Sequence, residues 1–235
     1  MASELRVLSS TALKTSFDEF SPQFERATGH KIVASFAASA QIFRRVAEGE
    51  TSDVTIVTAD GIEDLIKQGK VVAGTQVVVA RSAIGVAVPK GAPKPDISSA
   101  EKFKQALLAA KSVAMSNPVG GGQSGAILAK IFERLGIAEA MKPKTTYGPG
   151  GPAGLIGLFL LRGEAELGIQ QIPELMAVPG IDIVGPLPHE LQVMTVFSAG
   201  VSTAAKDAEE ARALLKFLTS PAATAVMKAK GMEVV

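Results

Sequence analysis

The stretch KIVASFAASAQIFRRVAEG at residues 31–49 decides the fold, because it holds one complete strand-to-helix unit. The first six residues, 31–36, are rich in branched and aromatic side chains and predict a strand. The small residues 37–40 then lead into apolar residues at helical spacing, and this helix is predicted to end at Gly49.

The same unit occurs on both sides of this stretch. Residues 5–8 predict a strand that runs into a polar loop and a helix ending at Gly29, and residues 53–57 predict a strand whose helix ends at Gly69. Strands that alternate with helices indicate parallel pairing in a sheet covered on both faces.

A second α/β unit follows. The apolar run 76–89 is long for a single strand and is predicted to cross between two domains, and the strand at 193–201 is placed to return the chain. The predicted fold class is therefore α/β, with two Rossmann-like lobes joined by a two-segment hinge. The expected boundaries are residues 1–81 plus 196–235 for lobe one, 82–195 for lobe two, and hinge crossings near 80–84 and 193–198.

Composition excludes several classes of protein. The chain has 235 residues, enough for one large or two small domains, and 47% hydrophobic with 20% charged residues is typical of a globular protein. A net charge of +1 without a basic run argues against nucleic acid as a partner. The absence of cysteine excludes thiolate catalysis, disulfides and cysteine-based zinc sites. No apolar run reaches the ~18 residues that a membrane span needs.

Small polar or glycine loops stand where the predicted strands end and helices begin. A helix N-terminus offers free backbone N–H groups and the positive end of the helix dipole, so an anion bound there meets donors that already point at it. Each loop alone is also explained by ordinary helix capping or a turn, but their recurrence at equivalent strand ends favours anion binding. The loops are Ser9-Ser10-Thr11, Ala38-Ser39, Gly122-Gln123-Ser124-Gly125 and Gly150-Gly151-Pro152-Ala153.

Signatures of an enzyme are absent from the sequence. The two histidines, His30 and His189, have no metal-ligand spacing, and no serine lies in a nucleophile elbow, so we predict no catalytic residue, no metal and no cofactor. Arg81 interrupts an apolar run and is either a partner for a carboxylate or an exposed arginine at a strand end. Of the adjacent Gln170 and Gln171, one is expected to face the ligand and the other a neighbouring element.

Four segments together resemble the class II periplasmic solute-binding proteins, specifically their molybdate-binding branch. The similarity covers almost the whole chain, and it implies two α/β lobes that hold an anion between them and close by a hinge motion. In that family, a hydroxyl after the first strand, a serine after the second, two helix-start amides and a tyrosine surround the oxyanion. The segments are Ser35-Phe36-Ala37-Ala38-Ser39-Ala40, residues 53–60, Ser124-Gly125 and Gly163-Glu164-Ala165-Glu166-Leu167-Gly168-Ile169.

The family's binding residues match this sequence only in part. Ser39 fits the second-strand serine, while Ser124 and Ala153 fall at the two helix-start amides. The first hydroxyl position is occupied by Ala12, although Ser10 and Thr11 precede it, and the tyrosine position is Gln171. Losing a hydroxyl and a tyrosine disfavours molybdate, because an oxyanion buried without its donors is costly. The predicted ligand-binding residues are Ser10, Thr11, Ala12, Ser39, Arg81, Ser124, Gly125, Ala153 and Gln171.

Residues 173–175 and 185–192 resemble a sister branch that includes aconitate isomerases. The first hypothesis is a solute-binding protein that captures a small anion for an ABC importer, with an organic carboxylate favoured over molybdate. The alternatives are an allylic isomerase acting on an unsaturated tricarboxylate, a molybdate or tungstate binder, and a cytoplasmic sensor of the same fold.

These hypotheses carry expectations about partners and location. We expect a monomer whose partners are the anion and an ABC transporter permease, with no nucleic acid. The N-terminus carries no recognisable signal segment. We therefore expect either a periplasmic protein whose signal peptide is missing from this chain or a cytoplasmic protein.

Overall fold

The computed structural model describes residues 4–120 and 122–234. Gly121 of the predicted glycine loop and residues 1–3 and 235 of predicted lobe one lie outside the described residues. The strands are β1 (Glu4–Ser10), β2 (Lys31–Ala37), β3 (Val54–Thr58), β4 (Val77–Ser82), β5 (Ile84–Pro89), β6 (Val113–Ser116), β7 (Thr145–Gly148), β8 (Leu167–Gln171), β9 (Ile181–Pro186) and β10 (Thr195–Val201). The α-helices are α1 (Lys14–Thr28), α2 (Ser39–Ala47), α3 (Ala59–Lys67), α4 (Ala100–Ala109), α5 (Gln123–Arg134), α6 (Ala138–Met141), α7 (Gly157–Leu161), α8 (Ile172–Met176), α9 (Ala208–Leu218) and α10 (Pro221–Ala229).

The chain divides into two compact units. Unit 1 consists of Met1–Ser82 and Thr195–Val235, and unit 2 consists of Ala83–Met194. The apolar run 76–89 is not one strand: it contains β4 and β5, which are separated by Ala83 and belong to different sheets.

The sheet of unit 1 has the strand order β2-β1-β3-β10-β4. The predicted parallel pairing is confirmed for β1 with β2 and β3. It does not extend to β10, which is antiparallel to both β3 and β4. Parallel neighbours are joined by a helical crossover, whereas β10 reaches this sheet directly from the end of unit 2 and pairs in the opposite direction.

Helices cover both faces of this sheet. On one face, Phe17, Phe20 and Phe24 of α1 are buried together with leucines of α9. On the other face, Ile42 of α2 and Leu65 of α3 are completely buried. Each face of the sheet is therefore covered by its own apolar core.

Several predicted helix ends are confirmed. Gly29 and Gly69 follow α1 and α3 with φ angles of 78° and 67°, a left-handed conformation that favours glycine. In the C-terminal segment, α9 ends at Leu218 and Pro221 begins α10, because proline is tolerated at the first position of a helix but cannot continue one.

The sheet of unit 2 has the order β7-β6-β8-β5-β9. Strand β6 is parallel to β7 and β8, whereas β5 is antiparallel to β8 and β9. Two apolar cores again cover the two faces, one around Phe103 and Leu128 and the other around Ile156 and Leu175. The edge strand β7 and the short helix α6 are absent from the sequence prediction.

Candidate functional site

The carboxyl ends of the parallel strands in unit 1 bring several predicted residues to one edge of the sheet. Ser10, the last residue of β1, pairs with Ala37, the last residue of β2. The segments that follow these strands, Thr11 onward and Ala38 onward, therefore begin side by side. Ligands of open α/β sheets bind at this kind of edge.

Thr11 has a buried hydroxyl that the protein itself does not satisfy. It opens a 3₁₀ turn, Thr11–Leu13, between β1 and α1, and Ser10 and Ala12 on either side of it are also buried. Among the described residues, no hydrogen-bond partner exists for Thr11 Oγ1. An unsatisfied buried hydroxyl costs about 1–3 kcal/mol, so it is a donor available to a ligand. Ala12 has no side-chain donor and can contribute only its backbone.

Ser39 is free of the capping role that serines usually have at this place. It is the first residue of α2, and Ala38 is the N-cap residue, with no side-chain capping bond. Ser220 in the same unit is a true cap, because its hydroxyl accepts a hydrogen bond from the Ala223 N–H at 3.4 Å. The first N–H groups of α2 have no partner within the helix, so the Ser39 hydroxyl and these amides form one group of donors.

Arg81 lies near the carboxyl end of β4, at the same edge of the sheet. Its side chain is exposed, and its backbone N–H and C=O bond to Glu233 at 2.6 and 2.9 Å. The exposed guanidinium could therefore contact a ligand from the rim of a site, but it is not a buried partner for a carboxylate.

The equivalent edge of unit 2 carries the remaining predicted residues. Ser116, which ends β6, pairs with Gly148, which ends β7, and β8 ends beside them at Gln171. The two glycine-rich loops that follow β6 and β7 therefore start next to each other.

Ser124 and Gly125 lie in the first turn of α5, pressed against the end of β6. Ser124 is fully buried, and its Oγ donates to Ser116 Oγ at 3.5 Å. A Cβ atom on Gly125 would stand 2.3 Å from the Ser116 carbonyl oxygen, so packing alone requires glycine there. The Gly125 N–H already donates to the Gly122 carbonyl at 3.0 Å. The amides of α5 that remain for a ligand are those before Gly125.

Ala153 is exposed in a 3₁₀ turn, Pro152–Gly154. Gln170 holds this segment in place: its Oε1 accepts the Ile156 N–H at 2.7 Å, and its Nε2 donates to the Gly154 carbonyl at 3.4 Å. Gln170 is thus the member of the glutamine pair that faces a neighbouring element. Gln171, also buried, is the N-cap residue of α8.

Glu174 is a functional candidate that the sequence analysis misses. It is buried in the first turn of α8, and its carboxylate accepts the backbone N–H of Gln171. Loss of hydration raises the pKa of Glu174 to about 8, and the Gln171 hydrogen bond only partly opposes this rise. The spacing of Gln171 and Glu174 is that of a capping box, and that spacing was the available signal in the sequence.

The structure thus places the predicted residues in two groups. Ser10, Thr11, Ala12, Ser39 and Arg81 share one edge in unit 1, and Ser124, Gly125, Ala153 and Gln171 share the equivalent edge in unit 2. No three acidic or histidine side chains of the described residues are grouped so as to hold a metal ion. Within residues 4–120 and 122–234, no helix has the length and apolarity of a membrane span.

Two α/β units with mixed sheets, each with helix-start N–H groups at a strand edge, have the architecture of the two-lobed binding proteins. The profile of the family described as bacterial extracellular solute-binding protein matches residues 5–233, and the chain belongs to this family.

Relatives and solved structures agree with this assignment. An aconitate isomerase of Pseudomonas sp is 38% identical, over 97% of this chain and 87% of that protein. The molybdate-binding protein ModA of Azotobacter vinelandii is 28% identical, over 98% of this chain and 90% of that protein. The structure of the sulfate-binding protein SubI from Mycobacterium tuberculosis matches 98% of this chain and 86% of its own with a TM-score of 0.81 and 18% identity, a likeness of fold.

Proposed function

We propose that this protein binds a small organic polycarboxylate through the hydroxyl and backbone N–H donors that lie at its strand ends. The observation that carries the proposal is the buried, unsatisfied hydroxyl of Thr11 at the edge where β1 and β2 end. The amides at the start of α2 and the Ser39 hydroxyl add donors in unit 1, and the first amides of α5, Ala153 and Gln171 add donors in unit 2. Carboxylate oxygens accept such hydrogen bonds, and the charge-assisted bonds formed are stronger than neutral ones.

A carboxylate is preferred to molybdate for two reasons. The relative that is 38% identical is named for a tricarboxylate substrate, whereas the molybdate-binding relative is 28% identical. Gln171 also supplies a neutral amide that can donate to one carboxylate oxygen while its own oxygen accepts from a hydroxyl or a protonated acid.

The biological setting of the proposal is solute capture outside the cytoplasm. Membership of an extracellular solute-binding family supports an exported protein that delivers its anion to an ABC transporter permease. Hinge crossings near residues 80–84 and 193–198, with the protein acting as a monomer, remain part of this proposal.

A thermal-shift panel tests the ligand class. The panel contains molybdate, tungstate, sulfate, and di- and tricarboxylates including cis- and trans-aconitate. A ligand present at a hundred times its dissociation constant stabilises the native state by about 2.7 kcal/mol, which is a clear rise in melting temperature. We expect tricarboxylates to stabilise the protein most. If only molybdate or tungstate stabilises the protein, the ligand is a metal oxyanion and the proposal of a carboxylate ligand is wrong.

Isomerisation of an unsaturated tricarboxylate is the second candidate function, favoured by the 38% identity to an aconitate isomerase. Moving a double bond removes a proton from one carbon beside a carboxylate and returns a proton to another carbon, so it needs a base that can give the proton back. Incubation with cis-aconitate in deuterated water, followed by NMR, tests it. Formation of the trans isomer with deuterium incorporated supports the enzyme, whereas stabilisation without turnover supports the binder.

A further inference from the structure

Glu174 is a buried acid at the edge of unit 2 where the candidate donors lie. It occupies the third position of α8, and its carboxylate bonds to the N–H of Gln171, the residue that ends β8. This is the acid half of a capping box: the carboxylate accepts the N–H of the N-cap residue, so Glu174 helps to hold the backbone of Gln171, whose side chain makes no capping bond in return.

Among the residues that the structure describes, no charged partner offsets the burial of Glu174. Within unit 2, α8 packs against β5, β8 and β9. Strands β5 and β8 contain no titratable side chain, and β9 contributes only Asp182. Asp182 pairs with Val88 near the far end of β5 and accepts the Gly91 N–H at 2.8 Å. Only desolvation and the Gln171 hydrogen bond act on the pKa of Glu174.

We propose that Glu174 is a positioning residue that couples anion binding at the Gln171 edge to the binding of a proton. This inference rests on the proposed function, since it concerns the same anion site. With the proton bound, Glu174 is neutral and the site admits a polyanion. Once the proton is lost, a negative charge stands one capping bond away from Gln171 and opposes the ligand.

The physical basis is the repulsion of like charges in a poorly hydrated place. An anion beside an acid disfavours the ionised form of that acid, so ligand binding raises the pKa of Glu174 still further. By linkage, the anion then takes up a proton as it binds, and its affinity falls as the pH rises through the titration of Glu174.

Calorimetric titration with trans-aconitate tests this coupling in the wild type and in Glu174→Gln. Glutamine is also a capping-box residue, so the variant keeps the contact to Gln171 and removes only the titration. The range is about pH 7.5 to 9.5, in which the carboxyls of trans-aconitate stay ionised. We expect wild-type affinity to fall about tenfold across this range, and the affinity of the variant to change little.

Proton uptake gives a second readout that a purely structural role would not move. Titrations near pH 8 in buffers of different ionisation enthalpy should show proton uptake on binding to the wild type and none for Glu174→Gln. Glu139→Gln is the matched control: Glu139 is an exposed carboxyl of unit 2 that pairs with Lys142, and this variant should keep the wild-type slope and proton uptake.

The outcomes separate the two proposals. Binding with the same pH slope and no proton uptake in wild type and variant overturns the role of Glu174 and leaves the proposed function standing. Absence of trans-aconitate binding at every pH overturns the carboxylate ligand, and the coupling with it. If Glu174→Gln does not fold, a carboxyl NMR titration of wild-type Glu174 decides instead, and a titration that trans-aconitate leaves unshifted overturns the coupling.

Discussion

The two units treat a buried carboxyl in opposite ways. In unit 1, both oxygens of buried Asp53 accept backbone N–H groups, from Arg6 and Lys206, each at 2.7 Å. In unit 2, buried Glu174 has the N–H of Gln171, and burial raises its pKa to about 8. Two backbone N–H groups therefore hold the Asp53 carboxylate, whereas Glu174 has one and can exchange a proton near neutral pH.

The strand edges that carry the candidate residues also differ between the two units. Among the described residues, unit 1 leaves the buried hydroxyls of Thr11, Ser16 and Ser198 without a hydrogen-bond partner, and that of Thr11 lies at the strand edge. Unit 2 uses Ser124, Gly125 and Gln170 for its own packing. The unpaired buried hydroxyls thus lie in unit 1. In unit 2, close packing and the buried carboxyl of Glu174 are the distinctive features of the edge. Four predictions follow from this contrast, from the largest expected effect to the smallest.

The largest effect is expected for Glu174→Gln, as a pH-dependent gain in stability. The folded-state pKa of about 8 lies above the unfolded value of about 4.3, so the native state binds more protons between these values. Wild-type stability therefore falls as the pH rises through this interval, by up to about 1.4 kcal/mol per pH unit, and the variant escapes the loss. Urea unfolding of both proteins at about pH 5, 6.5 and 8 measures the difference. Parallel dependence on pH in the two proteins would show that the pKa of Glu174 is not raised in the folded protein.

Gly125→Ala should destabilise unit 2 by about 2–3 kcal/mol. The new Cβ would meet the backbone oxygens of Ser116 and Asn117 at 2.3 and 2.9 Å, and backbone cannot move aside cheaply. Tyr147 is the single tyrosine and lies in unit 2, and the chain has no tryptophan, so tyrosine fluorescence during urea unfolding reports on this unit. Gly122→Ala in the same loop is the control, because its Cβ would meet the movable side chain of Ser116 at 3.2 Å.

Thr11→Val should raise apo stability and lower anion affinity together. The valine keeps the shape and removes an unsatisfied buried hydroxyl, which is worth about 1 kcal/mol of added stability. The bound anion loses a donor, and its affinity should fall about fivefold to tenfold. Urea unfolding followed by circular dichroism and calorimetric anion binding measure the two effects. A stabilised variant with unchanged affinity would remove Thr11 from the site.

Ser39→Ala should leave apo stability within about 0.5 kcal/mol, because Ser39 does not cap α2. Anion affinity should nevertheless fall, and the same calorimetric titration measures it. Ser220→Ala is the matched control: it removes a real cap in the same unit and should cost about 1 kcal/mol without changing affinity. The reverse pattern would make Ser39 a structural residue.

Local patterns in the sequence predict much of the fold. The spacing of Phe17, Phe20 and Phe24 gives α1, and Gly29 gives its end, because both depend on residues close together in the chain. The antiparallel placement of β10 could not be predicted in this way, since it depends on a partner strand more than a hundred residues away. The strand β7 is short and starts with two threonines after a lysine, so it has little apolar pattern to detect.

The candidate site is predictable to a similar extent. Strand ends followed by small residues locate Ser39 and Ser124, because the edge of a parallel sheet follows from the order of elements. The sequence does not show why residue 125 must be glycine, nor that Glu174 is buried. Both depend on how closely a helix approaches the neighbouring strand. The sequence also does not show whether Ser39 caps α2, because this depends on whether the helix begins at Ser39 or one residue later.

The pairing of Ser82 with Thr195 shows where unit 2 is inserted into the sequence of unit 1. These residues lie opposite each other on neighbouring antiparallel strands, at the two points where unit 2 enters and leaves. Inside unit 2, the Gln192 side chain bonds both the N–H and the C=O of Ile84, at 3.2 and 2.9 Å, so the ends of the inserted segment are also held together. Unit 2 is thus inserted between two neighbouring antiparallel strands, at the position where a β-hairpin would have its turn. Since a two-residue Asn-Gly turn commonly joins such strands, we expect that it could replace unit 2 and leave unit 1 as a continuous domain.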